Sequence, residues 1–188
     1  MKVIIISAPS GCGKSTIINT ILAKGEIDME FSISATNRSP REGEAHGVNY
    51  YFLTTEDFRS RIADGEFVEY EEVYPGRYYG TLRNEIDRIL NEGHNCILDI
   101  DVKGALNVKR IYGDRALSVF IMPPSVETLR QRLMSRATDS IDEIERRVAK
   151  ADEEISYAPQ FDVRVVNDNL TTAVTEVETT IKNFLAKP

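Results

Sequence analysis

Cysteine and histidine are scarce: Cys12, Cys96, His46 and His94 are all that the 188 residues contain. Two thiols make no disulfide framework, so the chain must be held by an apolar core and reads as a protein of a reducing compartment. Two histidines far apart in sequence make no metal motif, and both read as loop residues. Long apolar runs are missing as well, none approaching the roughly 20 residues of a spanning helix. Met1-Lys2 followed by Val3 to Ile6 imitates the start of a signal peptide. The apolar stretch stops at Ser7, however, and a glycine-rich, lysine-containing segment stands where a cleavage region would be. Positive charge is in deficit: 23 Lys and Arg face 30 Asp and Glu, a net charge of −7. A general nucleic-acid or anionic-membrane binder needs a broad basic surface, so any polyanion must meet a local cluster of Lys and Arg. Internal repeats and low-complexity stretches are absent too. The expectation is a cytoplasmic protein with neither nucleic acid nor membrane as partner.

What remains is ordinary globular material, 41% hydrophobic and 28% charged. A single domain of this length buries roughly 70% of its unfolded surface. Short β-branched or apolar runs at Val3–Ile6, Cys96–Ile100, Leu117–Ile121 and Val163–Val166 read as strands buried on both faces. Helical stripes lie between or beside them: Ile17, Ile18, Ile21 and Leu22, closed by Gly25; Leu82, Ile86 and Ile89, ended by Gly93; Val126, Leu129 and Leu133 behind Ser125; and Val174, Val177, Ile181 and Leu185. Alternating strands and helices predict an α/β fold with a parallel sheet covered on both sides. Ser34 to Gly80 breaks this rhythm with turn residues, aromatics and the alternating run Phe67 to Glu71. It predicts an inserted unit of short antiparallel strands around one small helix, capped by Thr54 and Asp57. A second insertion is expected near Ser135 to Ser140, where Ser140 and Glu143 form a capping box for a helix running through Ile144, Val148 and Ile155.

Chemistry is most concentrated in Ala8-Pro9-Ser10-Gly11-Cys12-Gly13-Lys14-Ser15, between a strand and a helix. Glycines let successive backbone N–H groups wrap a phosphate, and the helix adds its positive end. Lys14 brings a mobile charge to terminal phosphates, and the Ser15 hydroxyl can ligate Mg²⁺. Ala8 stands where the strict triphosphate-loop pattern has Gly. Asp99 and Asp101, ending a buried strand, lie where open parallel sheets bind ligands and where acids reach Mg²⁺ or its waters. The plainer reading has one of the pair capping the next helix. Arg132 and Arg136 share a helix face, and a helical hairpin brings Arg147 towards them, as in a lid closing over phosphates. Arg38, Arg41, Tyr50, Tyr78 and Tyr79 suit a second phosphate, and a carboxylate such as Glu69 can accept two parallel bonds from guanine. Cys12 within the loop reads as small filler rather than a redox device.

These residues resemble the guanylate kinase family over nearly the whole chain. The match includes Ser7 to Thr16, Ser34 to Arg41 (SATNRSPR), Gly43-Glu44, Gly47 to Tyr51, Glu66 to Glu69, Tyr78 to Thr81, Ile97 to Asp101, Pro123 to Ser125 and Val166 to Asp168. The resemblance implies a P-loop, nucleoside-monophosphate-kinase-like sheet (core 1–33, 81–124 and 158–188), a mixed α/β GMP-binding subdomain (34–80) and a helical lid (125–157). It implies phosphorylation of GMP by ATP with Mg²⁺, yielding ADP and GDP in purine nucleotide metabolism, with tolerance of deoxy-GMP and the choice of monomer or homodimer left open. Ser34, Glu69 and Thr81 match base-reading positions, with Asp99 and Asp101 near; Arg38, Arg41, Glu44, Tyr50 and Tyr79 match the GMP-phosphate side. Ser10, Gly11, Cys12, Gly13, Lys14, Ser15, Thr16 and Arg132 match the ATP side, with Asn167 against adenine. Lys14, Arg41, Arg136 and Arg147 are the expected catalytic charges. Ser15, with Asp99 or Asp101 acting through water, is the expected metal position. Ala8 and Ala137 replace family glycines, Asn37 and Asn49 stand where Thr and Asp are frequent, and the Tyr74 to Arg77 turn is unusual.

In such a reaction the acceptor phosphate is already an anion, so no general base is required and catalysis rests on positioning and charge neutralisation. Two other readings share the resemblance: a non-catalytic module that docks phosphopeptides, and a kinase of the same fold with another small acceptor. The intact loop speaks against the first and the guanine-reading set against the second.

Overall fold

The computed structural model describes residues 1–135 and 140–187. The chain opens with β1 (Val3–Ser7), the phosphate loop and α1 (Lys14–Lys24), then passes through β2 (Met29–Phe31), β3 (Ala35–Thr36), β4 (Tyr51–Phe52), α2 (Thr55–Ala63), β5 (Phe67–Tyr74) and β6 (Arg77–Leu82). It returns through α3 (Arg83–Asn91), β7 (Asn95–Asp99), α4 (Val102–Tyr112) and β8 (Ala116–Met122), and ends with α5 (Val126–Ser135), α6 (Ile141–Ser156), β9 (Val163–Val166) and α7 (Leu170–Leu185). Among the described residues no helix is long and apolar enough to cross a membrane.

Strands β2, β7, β1, β8 and β9 form, in that order, a parallel sheet, as the alternation of strand and helix predicts. Its centre is β1, whose Val3, Ile4, Ile5 and Ile6 are wholly buried. The two-residue period of a strand splits them. Ile4 and Ile6 pack with Ile17, Ile18 and Ile21 of α1, Leu129 and Leu133 of α5 and Val174, Val177 and Ile181 of α7. Val3 and Ile5 face Ile86 and Ile89 of α3 and Val102, Ala105 and Val108 of α4. Each such side chain contributes about 1.5–3 kcal/mol on burial, so β1 anchors both faces of the sheet. The β2 strand has no apolar run to announce it: half-buried Met29 and Glu30 and exposed Phe31 are drawn in by pairing with Asn95–Ile97.

A second sheet, β4-β3-β6-β5, projects from the first with α2 against it. Phe58 of α2 stacks on Phe67 and Tyr78, at 4.4 and 5.4 Å between ring centroids, over a small core with Ala35 and Leu82. The Thr54 hydroxyl caps α2 by accepting from the Asp57 N–H at 3.0 Å. The expectation of antiparallel strands holds for β3–β6 and β5–β6, but β3 and β4 run parallel. The long segment between Thr36 and Tyr51 is what permits this, because a parallel pair needs a crossover of about a dozen residues. Asn37 lies where that sheet turns back: it donates to Thr55 Oγ1 and the Gly76 carbonyl and accepts from the Tyr78 N–H, steadying the Tyr74 to Arg77 turn. Glu85, buried at the start of α3, accepts from the Ile33 N–H at 3.2 Å and the Tyr51 hydroxyl at 2.8 Å, and pairs with Arg88. One carboxylate thus ties together the chain entering the inserted sheet, the sheet itself and the helix leaving it.

The remaining helices, α5 and α6, pack along each other through Leu129, Leu133, Ile144 and Ala151, with an Arg130–Glu145 ion pair outside. The Ser125 hydroxyl caps α5 through the Thr128 N–H. Ser140 and Glu143 form the expected reciprocal capping box of α6. The expected catalytic Arg136 and the substituted Ala137 fall outside the described residues.

Candidate active site

Two cavities meet at the carboxyl end of β7. One, about 420 Å³, is lined by Ala8 to Thr16, Asp99, Ile100, Asp101 and Glu154. The other, about 150 Å³, is lined by Ser34, Tyr50, Glu69, Glu71, Tyr79 and Gly80, and again by Asp99, Ile100 and Asp101. The Asp99–Asp101 segment is therefore their common wall.

The first cavity is built by the phosphate loop. Gly11 and Gly13 adopt φ values of +91° and +83°, which side-chain-bearing residues rarely tolerate, and these turn the loop so that Gly13 opens α1. The loop leans on α5 at Gly11, where an added Cβ would lie 2.9 Å from Leu133. Lys14 forms an ion pair with Asp99 and donates to the Ile100 carbonyl at 3.4 Å. The Ser15 hydroxyl donates to the other oxygen of Asp99 at 3.3 Å. Asp99 thus holds both groups expected to handle phosphate and metal. Asp101 caps α4, accepting from the N–H groups of Lys103 and Gly104 at 2.7 and 3.0 Å, the capping role weighed for one of the two acids. Ser10 and Thr16 stand in the lining, exposed.

Cys12 is wholly buried, and burial pushes its thiol up to about 12, an inert group as expected of filler. Asn167, at the end of β9 and also buried, donates from Nδ2 to the Cys12 carbonyl at 2.8 Å. Arg132 reaches the Asp168 carbonyl at 3.4 Å from beside the loop. Arg147 is half-buried on α6.

Against the Tyr50 and Tyr79 wall of the second cavity, Arg38 is held by Glu44 through two bonds of 2.6 and 2.7 Å, and its Nε donates to the Tyr79 hydroxyl at 3.2 Å. Its guanidinium lies 5.0 Å from the Tyr50 ring centre, and Tyr50 and Tyr79 meet edge to face at 5.8 Å. The Arg38 bond, with the Arg41 N–H, draws the Glu44 carboxyl down to about 2. Arg41 itself is exposed, its backbone N–H on Glu44. Deeper in, Glu69 is buried opposite Thr81, whose hydroxyl donates to it at 2.6 Å, and Ser34 lines the same cavity. Burial, reinforced by the nearby Asp101 charge, pushes the Glu69 carboxyl up to about 7.

Sequence reasoning missed Glu71 and Glu154. Glu71 was within reach, because residues two apart on β5 share a face with Glu69. Glu154 gave no signal: it reaches the loop cavity only because α6 folds back over it, and it pairs with Lys150, one turn earlier at 3.9 Å. The site contains hydroxyl and carboxylate oxygens at Ser15 and Asp99. Among the described residues no group of three or more His, Cys, Asp or Glu is placed to hold a metal. Few hard oxygen donors beside a phosphate cradle fit Mg²⁺, which keeps waters and takes phosphate oxygens rather than an all-protein cage.

A model of one protein family, described as guanylate kinase, matches residues 1–184. A guanylate kinase of Porphyromonas gingivalis is 56% identical over 186 residues, covering 99% of both chains. One from Bacteroides thetaiotaomicron is 55% identical over 99% of this chain and 91% of its own. A solved guanylate kinase from Anaplasma phagocytophilum superposes with a TM-score of 0.76 at 30% identity, covering 99% of this chain and 87% of that one. A shikimate kinase from Bacteroides thetaiotaomicron, at TM-score 0.54 and 13% identity, shares the fold alone over 96% of this chain and 98% of its own.

Proposed function

This chain belongs to the guanylate kinase family, and from that premise we propose that its two adjoining cavities hold the donor and acceptor of one phosphoryl transfer. The enzyme phosphorylates GMP at the expense of ATP, giving ADP and GDP. The observation that supports the residue assignment is the common wall: the phosphate loop lies on one side of Asp99–Asp101, and Tyr50 and Tyr79, with Arg38 against them, lie on the other. Residues 34–80 act as the acceptor subdomain and 125–157 as the lid, on the core formed by 1–33, 81–124 and 158–188.

ATP phosphates lie in the backbone N–H groups of Ser10 to Thr16, with Lys14 turning from Asp99 to the terminal phosphate. Arg132 and Asn167 flank the nucleotide. Ser34, Glu69 and Thr81 read guanine: a carboxylate accepts from both the ring N–H and the exocyclic amine, while the Thr81 hydroxyl fixes its rotamer. Arg38, Arg41, Tyr50 and Tyr79 hold the acceptor phosphate, and Glu44 keeps Arg38 aimed. The acceptor oxygen then attacks the γ-phosphoryl in line. Lys14, Arg41, Arg136 and Arg147 offset the charge that gathers as two polyanions approach, which is the main obstacle to the reaction. The Ser15 hydroxyl and, through water, Asp99 or Asp101 would hold Mg²⁺, which would supply further charge neutralisation beside ATP. Closing α5 and α6 over the site excludes water and so favours GMP over hydrolysis. The free, buried thiols of Cys12 and Cys96 support a cytoplasmic setting, where both nucleotides are at hand.

The test is a coupled assay of ADP release from MgATP with GMP, AMP, UMP, CMP or no acceptor. Fast turnover with GMP alone is expected. Release with a different acceptor would overturn the base-reading assignment, and no release from folded, nucleotide-binding protein would overturn the enzyme itself.

A further inference from the structure

Glu69 belongs to the inserted sheet, but its carboxylate is seated by a helix of the core. At Gly104, in the first turn of α4, an added Cβ would stand 2.7 Å from Glu69 Oε2 and 3.1 Å from both its Cδ and Cγ. The backbone of Gly104 is ordinary helix, so conformational freedom does not call for glycine there; close approach does. One turn on, Asn107 donates from Nδ2 to the Val68 carbonyl at 2.5 Å, beside the register shift between Phe67 and Glu69. Val68 is itself buried in the core against Ile86, Val102 and Ala105. On the opposite side Thr81 holds Oε1. The carboxylate is therefore confined between the Thr81 hydroxyl and a helix face made flat by Gly104, and its backbone is pinned to that helix by Asn107.

We propose that Gly104 is a specificity-determining position for the acceptor base, acting by leaving the space in which Glu69 presents its carboxylate to guanine, with Asn107 as a positioning residue for the same strand. The inference rests on the assignment of Glu69 to the base. It explains why a glycine sits in a buried helical turn where alanine is the better helix former. It also divides the acceptor site by rigidity. The base is read by a group fixed to the core through α4, while the phosphate is met by Arg38, Tyr50 and Tyr79 on the projecting sheet.

The experiment compares wild type, Glu69→Gln, Gly104→Ala, Glu69→Asp and the double variant Glu69→Asp/Gly104→Ala. For each, KM for GMP and for ATP, kcat, the ratio of kcat/KM for GMP over AMP, and the melting temperature are measured. Gly104→Ala is expected to raise KM for GMP at least tenfold and to lower the GMP/AMP ratio at least tenfold. Its KM for ATP and its kcat at saturating GMP should stay within threefold, a split that a general loss of structure would not give. In the shortened Glu69→Asp background the same alanine should cost less than threefold, because the carboxylate has withdrawn from it. Should Gly104→Ala melt early, that second comparison decides, since the shortened chain leaves room for the new methyl. Impairment by Glu69→Gln with Gly104→Ala inert, or an equal alanine cost in both backgrounds, overturns the inference. An inert Glu69→Gln overturns instead the reading on which it stands.

Discussion

The Asn167 amide bonds the carbonyl of Cys12 at 2.8 Å, joining the end of β9 to the middle of the phosphate loop. The contact is possible only because Gly13 has no side chain: a Cβ there would lie 2.6 Å from the same nitrogen. A loop that offers its N–H groups to phosphate must find partners for its carbonyls elsewhere, and Asn167 supplies one from a different part of the sequence.

Replacing Asn167 with Ala leaves a buried carbonyl without its donor. The expected outcome is a loss of about 1–3 kcal/mol of stability, the ordinary cost of an unsatisfied buried group. KM for ATP should rise more than KM for GMP, because the loop rather than the acceptor sheet loosens. Thermal unfolding and steady-state kinetics check both, and an unchanged melting temperature would show that the bond contributes nothing.

Lys14 and Asp99 form an ion pair across the loop cavity. Lys14→Met removes the mobile cation and should lower kcat by roughly 10²–10³-fold, the range for losing one preorganised charge-stabilising group. The fold should persist, since the core clusters do not include Lys14. Circular dichroism beside the ADP-release assay separates the two effects. Near-normal turnover would remove Lys14 from the catalytic set.

Glu69 titrates near neutrality, at about 7 against an ordinary 4.5. On the proposed assignment of Glu69 to guanine, whose N–H groups donate, binding requires the ionised form. KM for GMP should therefore fall by about tenfold per pH unit as pH rises towards 7, then level off. In Glu69→Gln this dependence should vanish, leaving only the titration of the GMP phosphate near pH 6, the usual second ionisation of a phosphate monoester. Linkage gives a second sign. A carboxyl raised on folding binds its proton more tightly in the folded state, so its stabilising contribution is complete below about 4.5 and is lost as pH rises through about 7. The ligand-free wild type should accordingly lose melting temperature relative to Glu69→Gln over that interval. A constant difference from pH 4.5 to 8 would contradict it.

Much of this was legible beforehand, for identifiable reasons. The phosphate loop is local: its glycines, Lys14 and Ser15 act within one strand–turn–helix, so spacing alone describes them. The caps at Thr54, Ser125 and Ser140 are equally local, each a side chain answering an N–H three residues on. The β2 strand and the parallel β3–β4 pair were not legible, because neither has a pattern of its own and each forms only against a distant neighbour.

The sequence by itself determined the α/β alternation, the phosphate cradle and the residue types able to meet a second phosphate, since these follow from short-range periodicity and turn chemistry. Tertiary structure alone decided which acid holds Lys14 and which caps α4, that Glu154 of α6 reaches the loop cavity, and that Gly104 makes room for Glu69. Those are relations between segments far apart in the chain. They are set by how helices and sheets pack around β1, and no local spacing encodes a distance across that core.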